Sequence, residues 1–265
     1  MEVITSRNND RVKFLCKLHD RNKRDRYGLF LIEGVRELTR ALKHKYSSIV
    51  SVFFCEDFFK SDAAYKLVDI AKKSDFEVFA LTREVFQKIS NRENCDGVLA
   101  LAKFWKMEEP KLGQNPLILV AEGIEKAGNL GALIRSAESV GVDLMILCEP
   151  VTDIFNPNVV RASQGAVFSL PILILDKDET FNFLVEHRIN VFITTPTAKK
   201  LYFKCDFTRP SAIIVGAEHD GLSNFWLNNA DLEHIVLPQM GKSDSLNVND
   251  AAVVVLYEAL RQRIS

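Results

Sequence analysis

Leu237-Pro238-Gln239-Met240-Gly241-Lys242-Ser243-Asp244-Ser245-Leu246-Asn247-Val248 is the stretch on which the fold of this chain turns. Pro238 ends the strand before it, because proline has no N–H to give a sheet ladder. The loop then reaches Ser245, a natural helix N-cap, and a helix is expected over Leu246–Arg263. Asn247 falls in the first turn of that helix, where an asparagine is not needed for stability. It is either an exposed polar residue or a group kept for chemistry. Gly241-Lys242-Ser243 imitates the end of a phosphate-binding P-loop, but the first glycine of such a loop would stand at 236, which is Val236.

Outward from this stretch, the last helix contains the run AAVVVLY and is apolar nearly all round, so more than one face should be covered. A second copy of the chain would supply the additional cover, which leads us to expect a homodimer. Upstream, continuous apolar runs at Leu117–Ala121, Leu144–Leu147, Asn190–Thr194, Ala212–Val215 and His234–Leu237 alternate with helical stretches. That pattern indicates an α/β domain over 117–265 with a mainly parallel sheet covered on both faces. Residues 105–116, WKMEEPKLGQNP, carry two prolines and a glycine and read as a linker. Residues 1–104 form a smaller α/β domain. It has a basic helix over Asn9–Lys23 with Val12, Leu15 and Leu18 on its apolar side, strands at Leu29–Ile32, Ile49–Phe54 and Gly97–Ala102, and helices at Val35–Lys43 and Ala63–Lys73.

The 265 residues are ordinary in composition, 47% hydrophobic and 26% charged, enough for two cores. No run of eighteen apolar residues exists to span a membrane, and the polar start MEVITSRNNDRVK lacks the apolar region of a secretory leader. Five widely spread cysteines with no C-x-x-C pair argue against a disulfide framework or a zinc site. Reduced thiols, no metal and a cytoplasmic location are the expectation. The net charge of −1 hides an asymmetry: residues 1–45 hold twelve Lys and Arg against six Asp and Glu. The densest run, Lys17 to Arg26, contains Lys17, Arg21, Lys23, Arg24 and Arg26. It suits phosphate contact, or is a solvated helix face.

Two further blocks stand at strand ends. Asn129-Leu-Gly131-Ala-Leu-Ile-Arg135-Ser-Ala137-Glu-Ser-Val-Gly141 follows the strand at 117–121. Asn129 is placed to cap a helix and Gly141 to end it, with Arg135 one turn after Gly131. Glycines at 123, 128 and 131 do not make the G-x-G-x-x-G of a dinucleotide site. Ile213-Ile-Val-Gly216-Ala-Glu218-His-Asp-Gly221-Leu222-Ser223 ends a strand at Gly216, where a missing side chain lets a ligand approach the backbone. Glu218 then lies at the carboxyl end of the sheet, where open α/β folds bind ligands.

Taken together and in this order, the three blocks resemble the signatures of the SpoU (TrmH-like) RNA ribose 2′-O-methyltransferases of the SPOUT superfamily, the Ser245-Leu246-Asn247-Val248 segment most specifically. The N-terminal half, with Phe30-Leu-Ile-Glu33-Gly34-Val-Arg36 after a basic helix, is similar to the family's small ribosomal-protein-like substrate domain. Ala127, Asn249 and Asp250 depart from the usual pattern. The resemblance implies a deep trefoil knot in the C-terminal domain and S-adenosyl-L-methionine as methyl donor. It implies donor contacts at Thr194, Gly216, Leu237, Met240, Gly241 and Leu246. It also implies that Arg135 steers the ribose hydroxyl with Asn129, Glu218, Ser245 and Asn247, and that Glu33 and Arg36 join the basic residues on RNA. Ribosomal RNA is the expected substrate, because a separate basic domain adds recognition surface. The same chemistry on transfer RNA, or a silent RNA-binding protein, are the alternatives.

Overall fold

The computed structural model describes residues 2–264 apart from 91, 93, 218 and 242–245. In chain order, β1 (Glu2–Ile4), α1 (Asp10–Lys17), α2 (Arg21–Tyr27), β2 (Leu29–Glu33), α3 (Val35–His44), β3 (Ile49–Phe54), α4 (Asp62–Lys72), β4 (Glu77–Leu81), α5 (Arg83–Ile89) and β5 (Val98–Lys103) come first. Next are β6 (Leu117–Glu122), α6 (Ala127–Val140), β7 (Leu144–Cys148), α7 (Pro157–Ala162), β8 (Ile172–Leu175) and α8 (Lys177–Glu186). The chain continues through β9 (Asn190–Thr194), β10 (Lys200–Leu201), β11 (Ser211–Val215), α9 (Asn224–Leu227), β12 (Glu233–Val236) and α10 (Val248–Arg263). Two compact units form, Met1–Lys106 with Asp153–Ser169, and Met107–Thr152 with Leu170–Ser265. In chain order the segment Asp153–Ser169 falls inside the second half, yet it packs in the first unit.

The first unit holds a mixed sheet in the order β1-β4-β3-β5-β2. β1, β4 and β3 run parallel, and β5 is antiparallel to both β3 and β2. The expected single helix over Asn9–Lys23 is two helices. Asp20 supplies the reason by capping α2, its side chain accepting from Asn22 N. The buried Arg24 guanidinium donates to the carbonyls of Leu18 and His19 at 3.1 and 2.9 Å. Val12, Leu15 and Leu18 are fully buried, as their spacing predicted.

The second unit is a seven-stranded, all-parallel sheet in the order β10-β12-β9-β11-β6-β7-β8. Its central strands β6, β11 and β7 are buried along their whole length, which is why they read as unbroken apolar runs. One face carries Phe183 and Leu184 of α8 and the wholly buried Trp226 of α9, packed with Ile118, Val120, Ile146 and Ile214. α10 packs against α6 and β11. It buries Val248, Ala252, Val255, Leu256 and Ala259 and leaves Val254 and Tyr257 exposed. The strands that the sequence pattern did not reveal include β1, β8 and β10, all at sheet edges; β1 and β10, of three and two residues, are too short to show a pattern.

Candidate active site

Parallel pairing brings the carboxyl ends of β9, β11 and β12 to one edge of the sheet. Thr194 Oγ1 donates to Ile214 O at 2.9 Å, and Thr195 N to Ile235 O at 3.0 Å, so the end of β9 is tied to both neighbours. Two cavities open there. One of about 390 Å³ is lined by Thr194, Gly216, Leu246 and Val248 among others, within the usual range for small-molecule sites of about 300–1,000 Å³. A second, of about 110 Å³, is lined by Thr194, Leu237, Gln239 and Leu246. Thr194, Thr195, Pro196, Leu246 and Ala251 line both, so the residues after three separate strands and at the start of α10 share one depression. Its walls combine threonine hydroxyls with the apolar side chains of Val215, Leu222 and Leu227.

Beside the depression α6 meets the start of α10. Asn247 Nδ2 donates to Asn129 Oδ1 at 3.3 Å, and one stretch of α6 further on, Ser136 Oγ donates to Asn249 Oδ1 at 2.9 Å. Asn249, which departs from the family's usual residue type, therefore fastens the two helices together. Arg135 lies exposed on α6 between these two links, and Gly141 ends the helix in the left-handed conformation as expected.

Several expectations change. Asn129 is not the N-cap of α6: Lys126 holds that position, and Asn129 stands in the first turn. The last helix begins at Val248 rather than Leu246. Asn247 is its N-cap, its Oδ1 accepting from Asn249 N at 2.9 Å, so an asparagine there does serve stability. The absent side chain of Gly216 makes room for the protein's own backbone. A Cβ there would lie 2.2 Å from Gly221 C and 2.4 Å from Leu222 N, because Ala217 and Gly221 exchange hydrogen bonds of 3.0 and 3.1 Å. Met240 is fully exposed, no described residue beyond its chain neighbours comes within 4 Å of a Cβ placed at Gly241, and neither is among the described residues lining the two cavities. Glu218 and Ser245 lie outside the described residues.

In the first unit, Arg24 does not face solvent. It is 1% exposed, and its Nη2 donates to Asp153 Oδ2 at 2.7 Å. Glu33 is likewise buried, accepting from Ser90 Oγ. Its carbonyl receives Arg92 Nη2 at 2.6 Å, and the same nitrogen reaches Glu37 Oε1 at 3.2 Å. This ionic cluster shapes the β2–α3 turn, where Gly34 sits at φ +116°. Lys17, Arg21, Arg26 and Arg36 remain exposed and Lys23 half-buried.

Sequence reasoning missed Glu122, the last residue of β6. Its carboxylate is buried and accepts from Ser223 N at 2.8 Å and Ser223 Oγ at 2.6 Å. Lys177 Nζ lies 3.8 Å from it and 2.8 Å from Glu149 Oε2, and the hydrogen bond to Glu149 raises the lysine's pKa. The available signal was a glutamate closing the otherwise apolar run LILVAE. Cys148, at the end of the neighbouring strand, is pushed by burial up to about 11 and stays a thiol at neutral pH.

Residues 116–257 match the profile of the SpoU rRNA Methylase family, and residues 9–100 that of the MRM3-like substrate binding domain. The chain is similar to the 23S rRNA (uridine(2479)-2'-O)-methyltransferase of Streptomyces viridochromogenes, 29% identical across 99% of this chain and 93% of that one. It is 27% identical to the 23S rRNA (guanosine(2553)-2'-O)-methyltransferase RlmP of Bacillus subtilis, across 97% and 98% of the two chains. Among solved structures, an RNA 2'-O ribose methyltransferase superposes with a TM-score of 0.87 at 36% identity, covering 99% of this chain and 100% of that chain. The SpoU methyltransferase AviRb of Streptomyces viridochromogenes in complex with AdoMet does so at 0.86 and 28%, covering 97% and 99%.

Proposed function

The chain belongs to the SpoU rRNA methylase family, and on that premise we propose that it is an S-adenosylmethionine-dependent enzyme methylating a ribose 2′-hydroxyl of ribosomal RNA. The observation that carries this reading is the convergence of Thr194, Gly216, Leu237 and Leu246 on one depression at the sheet's carboxyl edge, beside the Asn129–Asn247 pair.

The residues present fit the donor. The depression offers threonine hydroxyls and backbone groups for the polar ends of a nucleoside, and apolar walls for its body. Thr194, Gly216, Leu237 and Leu246 would hold it, with Met240 and Gly241 on the loop that follows. When bound, S-adenosylmethionine supplies a methyl group already activated on sulfur. The protein's task is then alignment of the ribose oxygen and management of one proton. Arg135 is better suited to holding negative charge than to taking a proton, since a guanidinium offers donors and no acceptor. Its role is to anchor a phosphate and stabilise negative charge growing on the ribose oxygen. Asn129 and Asn247, already bonded to each other, would orient Arg135 and the sugar with Glu218 and Ser245.

Residues 1–104 are assigned to RNA recognition, 105–116 to a linker and 117–265 to catalysis, and the two matched profiles support that division. Lys17, Arg21, Lys23, Arg26 and Arg36 are the proposed phosphate contacts. Cytoplasmic location belongs to the same reading, supported by a ribosomal RNA substrate; among the described residues no helix is long and apolar enough to cross a membrane. A homodimer is supported by the exposed Val254 and Tyr257 on α10, and light scattering at assay concentration tests it. The trefoil knot is part of the proposal, supported by the return of the chain after β12 as α10 onto α6 and β11. The decisive experiment is transfer of labelled methyl groups to separated ribosomal and transfer RNA, followed by mapping of alkali-resistant linkages. Methylation on a base nitrogen would overturn the reading.

A further inference from the structure

Glu122 is a buried carboxylate that the chemistry above does not use. It ends β6 beside β11, and strand order reverses between these two: the chain runs from β6 outward through β7 and β8, then returns to build β9, β11 and β12 on the other side. Ligands of open parallel sheets bind at such a reversal. Burying an ionised carboxylate is costly unless hydrogen bonds satisfy it. Here both oxygens are spent on one residue: Oε2 accepts Ser223 N–H at 2.8 Å and Oε1 accepts the Ser223 hydroxyl at 2.6 Å. Lys177 lies 3.8 Å away as a second, longer partner, and its hydrogen bond goes to Glu149 at 2.8 Å.

Ser223 closes the segment that begins at Gly216. The near end of that segment is locked by the Gly216 backbone against Gly221 and by the paired hydrogen bonds of Ala217 and Gly221. The far end is gripped by Glu122. Between them Ala217, Gly221 and Leu222 form a wall of the 390 Å³ cavity, which Glu122 itself does not line. Although Ser223 occupies the N-cap of α9, its side chain makes no capping bond. The hydroxyl is given to Glu122 instead.

We propose that Glu122 is a positioning residue for methyl transfer, fixing the cavity wall through Ser223 so that the donor is held in one pose. This rests on the reading of the cavity as the donor site. Both bonds of the grip are charge-assisted, and a glutamine can at most replace the hydroxyl bond by a neutral one of reversed direction, its Nε2 donating to Ser223 Oγ, so the charge assistance is lost. In the full-length protein, calorimetric titration with S-adenosylmethionine should give a dissociation constant about tenfold higher for Glu122→Gln, the scale of one lost charge-assisted hydrogen bond. KM for RNA should change by less than about twofold, because only donor contacts move. Ser223→Ala should weaken donor binding in the same direction, and Ser223→Thr, which keeps the hydroxyl and the N–H, should bind as the parent does. The double variant should lose less than the product of the single losses, since both act on one contact.

A folded Glu122→Gln with unchanged donor affinity overturns the proposal. If that variant does not fold, an unchanged affinity in Ser223→Ala overturns it equally. Absence of donor binding by the parent protein would sink the reading of the cavity itself. Normal binding by the parent with unaffected variants sinks only the role given to Glu122.

Discussion

Asn247 uses both ends of its amide: Oδ1 caps α10 through Asn249 N at 2.9 Å, and Nδ2 donates to Asn129 on α6 at 3.3 Å. One side chain thus starts the last helix and ties it to the first helix of the same unit. Stability and site geometry are coupled at this residue.

Asn247→Asp keeps an acceptor for the cap and loses the donor. It should melt within about 0.5 kcal/mol of the parent, whereas Asn247→Ala should lose about 1 kcal/mol, the usual value of a cap. Methyl transfer should fall in both. Full activity in a stably folded Asn247→Asp protein would remove the Asn129 link from the mechanism.

Arg135→Lys retains the charge and loses the planar fork. Because Arg135 is exposed, stability should stay within about 0.5 kcal/mol, while turnover should drop about a hundredfold, as for loss of a group stabilising transition-state charge. Thermal melts and single-turnover methyl transfer, read side by side, check both halves. Undiminished turnover refutes the assigned role.

Gly216→Ala places a Cβ 2.2 Å from the Gly221 carbonyl carbon. The obstacle is backbone, which cannot swing aside as a side chain does. We expect a loss of about 1–3 kcal/mol in stability, typical of overpacking, with weakened donor binding. A variant that melts and binds like the parent would show that the loop has room.

The basic cluster divides into two classes. Arg24→Met leaves Asp153 without its partner and should cost about 3–5 kcal/mol in denaturant unfolding, the range for a broken buried ion pair. Lys17→Ala and Arg21→Ala should barely move stability. Each should lower the slope of log affinity against log salt for ribosomal RNA by about 1 where a phosphate contact is lost. An unchanged slope in both removes α1 and α2 from the RNA surface.

Glu258 accepts from Arg261 and Gln262, and the arginine's hydrogen bonds lower its carboxyl pKa from 4.5 to about 2. A depressed folded-state value gives stability that is complete above pH 4.5 and drains away as pH falls toward 2. Melting temperature should therefore decline across that window, and less steeply in Glu258→Gln. Equal acid slopes in the two proteins would contradict the assignment.

What could be read from the residues alone was whatever depends on local pattern. The apolar runs that became β6, β7 and β11 announce strands buried on both faces, Gly141 announces a helix end, and Val12, Leu15 and Leu18 mark a core-facing stripe. The three blocks at strand ends were likewise visible, because turn and cap residues are constrained by neighbours close in sequence. Tertiary structure decided what depends on distant partners. Arg24 looked like a surface cation until Asp153, far along the chain, claimed it. Gly216 looked like a strand end left open for a ligand alone, and only the fold shows that its missing side chain also makes room for the returning backbone at Gly221. Glu122 carried no motif, since its meaning lies in Ser223, one hundred and one residues away. Local propensity is written in consecutive residues, but the use of a buried charge is set by the group that folding brings against it.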